Sequence, residues 1–449
     1  MIVGGIDSEG RLATGGERRR SVPVGDGVDE CSVQRTVESG WWTRCAAAPW
    51  TQAVPACDLA RQTGLHLEVR SLRGSQPHPN TEAIQAVDIT QTTSYVLFNA
   101  HTLSTSAHRR STRIATGALE PDLELVREVA ATPPIFIAGS MRSGTTLLQS
   151  IVSAHPEIDV VYETHFAADL PQGISSSAAI NWLTTTSGYD RLHLPWDGAK
   201  VRDMLTRLGP TSAPEAVRMI LALRAVLFGK RRFGDKAPLY AFHLRSINRL
   251  YPDARIVLLV RDGRYSAASA AQPNVLLPNS ILIDALIWRA AARRSFAALR
   301  SLRPDRLLVI RYEDLIEDHE CQCLELCRFV GVEFDDAMLH PNVGVSERVA
   351  ISQEELDLVH PNLSRPPQKI AHDWRTGVSA ADVRSVEVIL RSSLAMFGYP
   401  IGPRHSGLDV ARGWTRTALV AVGGLRTNLP ALRNQARRDM AATWRRVVG

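Results

Sequence analysis

Lysine is nearly absent from this chain of 449 residues: of 52 basic residues only Lys200, Lys230, Lys236 and Lys369 are lysines. In a chain that defaults to arginine, each lysine marks a place where a compact point charge does what a planar guanidinium does not. Cysteine is scarce as well. Six cysteines are too few for a disulfide scaffold in a chain of this length. Cys321, Cys323 and Cys327 fall on one expected helix, with no second Cys/His pair at metal-ligand spacing. They read as reduced thiols, which points to a cytoplasmic setting. No run of about 18 uninterrupted apolar residues offers a membrane span. The N-terminus also lacks the basic-then-apolar layout of a secretory signal. With 45% apolar and 22% charged residues, the composition is that of a globular protein.

The net charge of +6 is not spread evenly. Residues 403–449 hold nine arginines against Asp409 and Asp439, a surplus larger than the charge of the whole chain. The body is therefore near neutral and does not read as a nucleic-acid binder. Residues 1–125 carry no sustained period of 2 or 3.6 and are rich in Gly, Ser, Thr and Arg. They are expected to be a poorly ordered extension or sequence upstream of the true start, with "LHLEVRSL" and "SYVLFN" as strand candidates.

From Leu123 the texture changes. "PDLELVREVA" predicts a short helix, "PPIFIAG" a buried strand, and "TTLLQSIVSAHP" a helix that stops before Pro156. Strand signals recur in "IDVVYE", "RRFGDKAP", "ARIVLLVRD" and "DRLLVIRYEDL", the last ending in a loop. Helical patterns fill "APEAVRMILALRAVLFGK", "FHLRSINRLYP", "IDALIWRAAARRSFAALRSL" and "CQCLELCRFVGV", the last closed by Gly331. Strands alternating with helices predict an α/β fold with a central parallel sheet covered on both faces.

Two stretches carry chemistry. In "FIAGSMRSGTTLL" a strand runs through a glycine turn into a helix, so backbone N–H groups between Gly139 and Thr146 can wrap an anion at the helix N-terminus. Thr145 stands where an ATP-binding loop has its lysine, and Arg142 precedes the second glycine. In "VLLVRDGRYSAAS" a buried strand delivers Arg261, followed by Arg264, Ser266 and Ser269. Arginine plus serine hydroxyl is a grip for a second phosphate beyond the carboxyl end of a strand. An ordinary charged turn is the alternative there.

With "GDKAP" and "RYEDL", these stretches stand in the order and spacing of sulfotransferases that use 3′-phosphoadenosine-5′-phosphosulfate (PAPS). The chain resembles that family, and most of all its bacterial branch related to tyrosylprotein sulfotransferases, from about Pro134 to Pro400. The resemblance implies a P-loop-like three-layer domain over residues 126–402, flanked by the extension 1–125 and a basic helical tail 403–449. It implies that Arg142, Ser143, Gly144, Thr145 and Thr146 hold the 5′-phosphosulfate, and that Arg261 and Ser269 bind the 3′-phosphate. Trp374 and Arg375 in "KIAHDWRTGVS" would contact the nucleotide. Glu163 would be the catalytic base, with His165 the alternative, and Lys236 and Arg142 would stabilise the transferring group. Lys236 could instead be an ion-pair partner of Asp235 or of another neighbour. A sulfuryl group carries less charge than a phosphoryl group, so fixed cations and N–H donors suffice and no metal is expected. Because Glu163 follows an apolar strand, partial burial is expected to raise its pKa. Glu313 and Asp314 read as structural, capping the following helix, and His155 as a helix-end residue.

The expected acceptor is a lipid, glycolipid or other small hydroxyl compound, with protein tyrosine disfavoured by the cytoplasmic setting. Trp182, Tyr189 and Trp196 are candidates for the pocket lining. In the tail, Leu429, Leu432, Ala436, Met440, Trp444 and Val447 form one helical stripe with arginines beside it. Such a helix rests on anionic lipid, on the domain, or on a second subunit of a homodimer. Two other functions stay open at this point: a nucleotide kinase or NTPase, and a non-catalytic nucleotide-binding scaffold.

Overall fold

A computed structural model describes residues 120–420 apart from 272–279, 350, 352–355, 358–359, 368–372 and 403. Most of the expected extension, including both of its strand candidates, and the apolar stripe of the tail lie outside the described residues. The strands are β1 (Ile135–Gly139), β2 (Ile158–Tyr162), β3 (Arg232–Lys236), β4 (Arg255–Val260) and β5 (Leu307–Arg311). They form one sheet in the order β2-β3-β1-β4-β5, with every neighbouring pair parallel. The helices are α1 (Leu123–Ala130), α2 (Thr145–Ala154), α3 (Phe166–Asp169), α4 (Ser176–Leu183), α5 (Gly198–Leu208), α6 (Ala213–Leu227) and α7 (Leu244–Leu250). They continue with α8 (Gly263–Ala270), α9 (Ile281–Leu299), α10 (Tyr312–Glu317), α11 (His319–Val330), α12 (Val345–Val349) and α13 (Ala380–Met396).

The strands are short and apolar because both faces of the sheet are covered. On one face Ile135 and Ile137 of β1 join Leu148 and Ile151 of α2 and Leu326 of α11 in a single buried cluster. The residue between them, Phe136, projects oppositely and meets the rings of Tyr240 and Tyr251 at 5.7 and 5.1 Å. Each such fully buried side chain contributes roughly 1.5–3 kcal/mol. Local signals set the ends. Ser212 caps α6 by accepting from the Glu215 N–H, with Pro214 in the first turn, and Gly331 closes α11 at φ 83°.

Three expectations are corrected. The "YEDL" stretch is helix α10 rather than loop, because Leu315 is drawn fully into the core. Glu313 does not cap the following helix: it accepts from the Asp262 N–H at 3.1 Å and from the Tyr399 hydroxyl at 2.8 Å, bracing the turn after β4. Cys323 and Cys327, four residues apart on the core face of α11, are buried free thiols, whereas Cys321 on the half-exposed face is disulfide-bonded and not reduced.

Residues 407–420 of the tail form a helix. It docks on α13 and α9: Gly413 lies against Val388, Arg416 pairs with Asp382 at 2.8 Å, and Trp414 stacks under Arg289 at 5.0 Å. No described helix is long and apolar enough to cross a membrane.

The register explains how the site is built. Tyr162 and Lys236, the last residues of β2 and β3, lie side by side, and Ile137 of β1 pairs with the same Lys236. On the other side Gly139 aligns with Leu259, and Val260 with Arg311. The residues at or just after the strand ends therefore share one edge of the sheet. Chain order reverses at β1, the switch point where open α/β sheets bind their ligands.

Candidate active site

The loop after β1 turns sharply into α2. Gly144 is in the left-handed region at φ 96°, and a Cβ there would lie 2.6 Å from the Tyr312 ring, so only glycine fits. Ser143 is fully buried, and its hydroxyl donates to the Ser140 carbonyl at 2.6 Å, holding the loop from inside. Thr145 and Thr146, also buried, begin α2. The first N–H groups of such a helix have no intrahelical partners and face outward along its dipole.

Arg142 takes a left-handed backbone, φ 59°, as do Glu163 at 52° and His165 at 61°. Three functional candidates thus account for three of the four non-glycine residues with positive φ among the described residues. Strained backbone of this kind persists where the surroundings enforce it, often at working sites.

The two candidate stretches are joined directly. The Arg142 Nε donates to the Ser269 hydroxyl at 3.3 Å, and Arg261 donates to the Arg142 carbonyl at 3.0 Å. The Arg261 guanidinium lies 4.5 Å from the centre of the Tyr312 ring. Burial and the nearby Arg261 charge both lower the Arg142 pKa. An anion held between the two guanidiniums relieves that repulsion. Arg264 is turned instead onto Asp262 at 2.6 Å.

Lys236 is fully buried at the end of β3. Its ammonium donates to Glu163 Oε1 at 2.7 Å and to the Thr146 hydroxyl at 3.2 Å, and sits 3.8 Å from the centre of the Tyr162 ring. Its ion pair is with Glu163 and not with Asp235. The Asp235 carboxylate is held on the other face of the strand by Thr164 and Tyr240. Burial lowers the Lys236 pKa, against the opposing pull of Glu163.

The expected upward shift of Glu163 is reversed. Burial does push its pKa up, but Lys236, His165 and Arg191 outweigh that and hold it at about 2. Burial brings His165 down to about 4, so at neutral pH it is an uncharged imidazole beside the carboxylate. His155 is a helix-end residue as expected, bonded to the Glu333 carbonyl at 2.7 Å.

Trp374 is buried, and its ring lies under the Arg375 guanidinium at 4.9 Å. Arg375 is exposed and ion-paired to Asp373 and to Glu387 of α13, both at 3.2 Å. Of the aromatic candidates for the acceptor region, Trp182 packs on Phe166 at 5.8 Å and the Tyr189 hydroxyl donates to the Trp196 carbonyl at 2.9 Å.

Several partners escaped the sequence reading. Tyr162 was quoted only as strand, yet its ring carries Lys236, and the Arg191 guanidinium approaches it at 5.2 Å. Arg191 is brought there by a buried ion pair of Arg224 with Asp159 of β2, Arg224 also donating to the Leu192 carbonyl at 3.0 Å. A charged residue inside the apolar run "MILALRAVL" was the available signal for Arg224.

Residues 133–336 match the family model described as "Sulfotransferase family". The chain is 26% identical to protein-tyrosine sulfotransferase 1 of Danio rerio over 273 residues, covering 60% of this chain and 72% of that one. It is likewise 26% identical to protein-tyrosine sulfotransferase 2 of Gallus gallus, covering 60% and 69%. Among solved structures, the sulfotransferase domain of the Synechococcus PCC 7002 olefin synthase aligns with a TM-score of 0.40 at 23% identity, covering 60% of this chain and 96% of that one. The matched segment contains the loop, Glu163, Lys236, Arg261 and Ser269, and ends before Trp374 and Arg375.

Proposed function

We propose that the chain transfers the sulfuryl group of PAPS to a hydroxyl acceptor, and that residues 126–402 are its catalytic domain. The observation that carries this reading is the Lys236–Glu163 pair set against the loop at the head of α2. A base and a cation meet there beside an anion cradle. The acceptor oxygen attacks sulfur in line, the bond from sulfur to the bridging oxygen breaks, and 3′,5′-ADP leaves. Glu163 takes the acceptor proton. Lys236, Arg142 and the loop N–H groups stabilise the charge that develops on the bridging and sulfuryl oxygens. Arg261 and Ser269 hold the 3′-phosphate, and Ser143, Gly144, Thr145 and Thr146 the 5′ end. Trp374 and Arg375 close on the nucleotide once Arg375 leaves Glu387.

A carboxylate at about 2 is a weak base, and the geometry supplies the remedy. When the Lys236 ammonium turns to the bridging oxygen, Glu163 loses its strongest partner and its proton affinity rises at that step.

The acceptor reading remains a lipid or other small hydroxyl compound, with the basic tail resting on anionic lipid. The similarity to protein-tyrosine sulfotransferases favours a second reading, a tyrosine in a peptide. Calorimetry tests the donor: 3′,5′-ADP is expected to bind tightly with or without chelator. Binding of ATP that requires Mg²⁺, with none of 3′,5′-ADP, overturns it. A labelled-PAPS screen of lysate lipids, small molecules and tyrosine peptides then separates the acceptors.

A further inference from the structure

Tyr162 closes β2 almost fully buried, and three separate parts of the chain converge on it. From β3 comes the Lys236 ammonium, 3.8 Å from the ring centre. From the turn at 187–192 comes Arg191, at 5.2 Å. The third is α12 with the stretch after it, where Val345, Val349, Ile351, Leu356 and Leu363 pack with Tyr162 in one small apolar cluster. That stretch also supplies His360, whose Nε2 lies 3.2 Å from the Tyr162 hydroxyl.

We propose that Tyr162 and His360 form a positioning pair for the Lys236 ammonium. The inference rests on the sulfuryl-transfer reading, in which Lys236 must stay charged and free to turn. A second carboxylate would keep it charged but would compete with the bridging oxygen for its protons. An aromatic face stabilises a desolvated cation without accepting a strong, directional bond. The ring thus steadies the charge without fixing an N–H, so the ammonium can turn from Glu163 to the bridging oxygen while Thr146 and the π face keep its place. His360 keeps the phenol from rotating away, and its apolar neighbours fix that clamp.

The charged and titratable groups facing the ammonium agree with this arrangement. They are Glu163 and His165 after β2, Arg191, and His360 itself, with Asp235 acting from the other face of β3. Burial together with Lys236 and Arg142 holds the His360 imidazole down at about 3. It therefore stands beside the two cations as a neutral hydrogen-bond partner and adds no repulsion.

With only four lysines in the chain, the test needs no activity. Full-length protein labelled at lysine gives few signals, and Lys236→Met identifies the one that matters. In the wild type the Lys236 signal carries the ring-current shift of Tyr162, which Tyr162→Phe retains and Tyr162→Leu loses. Loss of the ring also lowers the Lys236 pKa by about one unit. In transfer assays Tyr162→Leu lowers kcat by about tenfold or more, Tyr162→Phe and His360→Leu, which each remove the phenol–imidazole bond and keep the ring, lower it alike by about threefold, and His360→Gln lowers it less. Affinity for 3′,5′-ADP stays unchanged in all four. If Tyr162→Leu leaves the Lys236 shift, its titration and kcat unaltered, the positioning role is wrong. If Tyr162→Phe is as damaging as Tyr162→Leu, the ring is not what matters, and the proposal falls. Failure of the wild type to bind 3′,5′-ADP would instead sink the donor reading and leave the lysine signals to speak for themselves.

Discussion

The Lys236 ammonium and the Glu163 carboxylate meet at 2.7 Å, with the lysine fully buried and the glutamate 16% exposed. Glu163 is bound at both ends, since its N–H donates to the Lys236 carbonyl at 2.8 Å. The pair joins the last residue of β3 to the first residue after β2, so the alignment of the two strands fixes it. Its folded pKa of about 2 lies below the ordinary 4.5. Its stabilisation is therefore present above pH 4.5 and declines as pH falls toward 2.

Glu163→Gln leaves Lys236 buried without its carboxylate. The variant is expected to be less stable than the wild type by roughly 2–3 kcal/mol at pH 7. Urea denaturation at pH 7, 5 and 3 reads the difference, which stays constant between the first two and shrinks at the third. A gap that widens on acidification would contradict the ion-pair account.

The junction of Arg142, Arg261 and Ser269 predicts a phosphate-specific loss. Arg261→Met weakens 3′,5′-ADP binding by about 100-fold, and Ser269→Ala by about fivefold to tenfold. Binding of 5′-AMP, which lacks the 3′-phosphate, changes by less than about threefold in Ser269→Ala. Calorimetry on both nucleotides checks the pattern, and equal losses for the two would remove Ser269 from the 3′ site.

Arg224, 1% exposed, pairs with Asp159 beneath the turn that carries Arg191. Arg224→Met strands a buried carboxylate and costs about 3–5 kcal/mol, whereas Arg224→Met with Asp159→Leu recovers much of that loss. Chemical denaturation of the two variants measures it. A double variant no better than the single one would mean that packing by Arg224, not its charge, is what counts.

The sheet was legible because parallel strands covered on both faces read as continuous apolar runs, as in "RIVLLV" and "IFIAG". Arg261 was legible for a related reason, standing where such a run meets charge, whereas Glu163 and Lys236 were singled out by the family resemblance. What stayed hidden depends on contacts distant in sequence. His360 reaches Tyr162 across 198 positions, and Arg224 reaches Asp159 across 65, and no local period encodes either. The direction of the Glu163 shift was misread for the same reason. Burial shows in the strand pattern, but the opposing cations arrive from β3 and from the 187–192 turn.

The roles of Glu163 and Lys236 meet in one experiment, transfer of label from PAPS by wild type and Glu163→Gln at matched nucleotide occupancy. The variant is expected to bind 3′,5′-ADP within about threefold of the wild type while its transfer rate falls by at least about 100-fold. Full transfer by Glu163→Gln would contradict the account and move the base to His165.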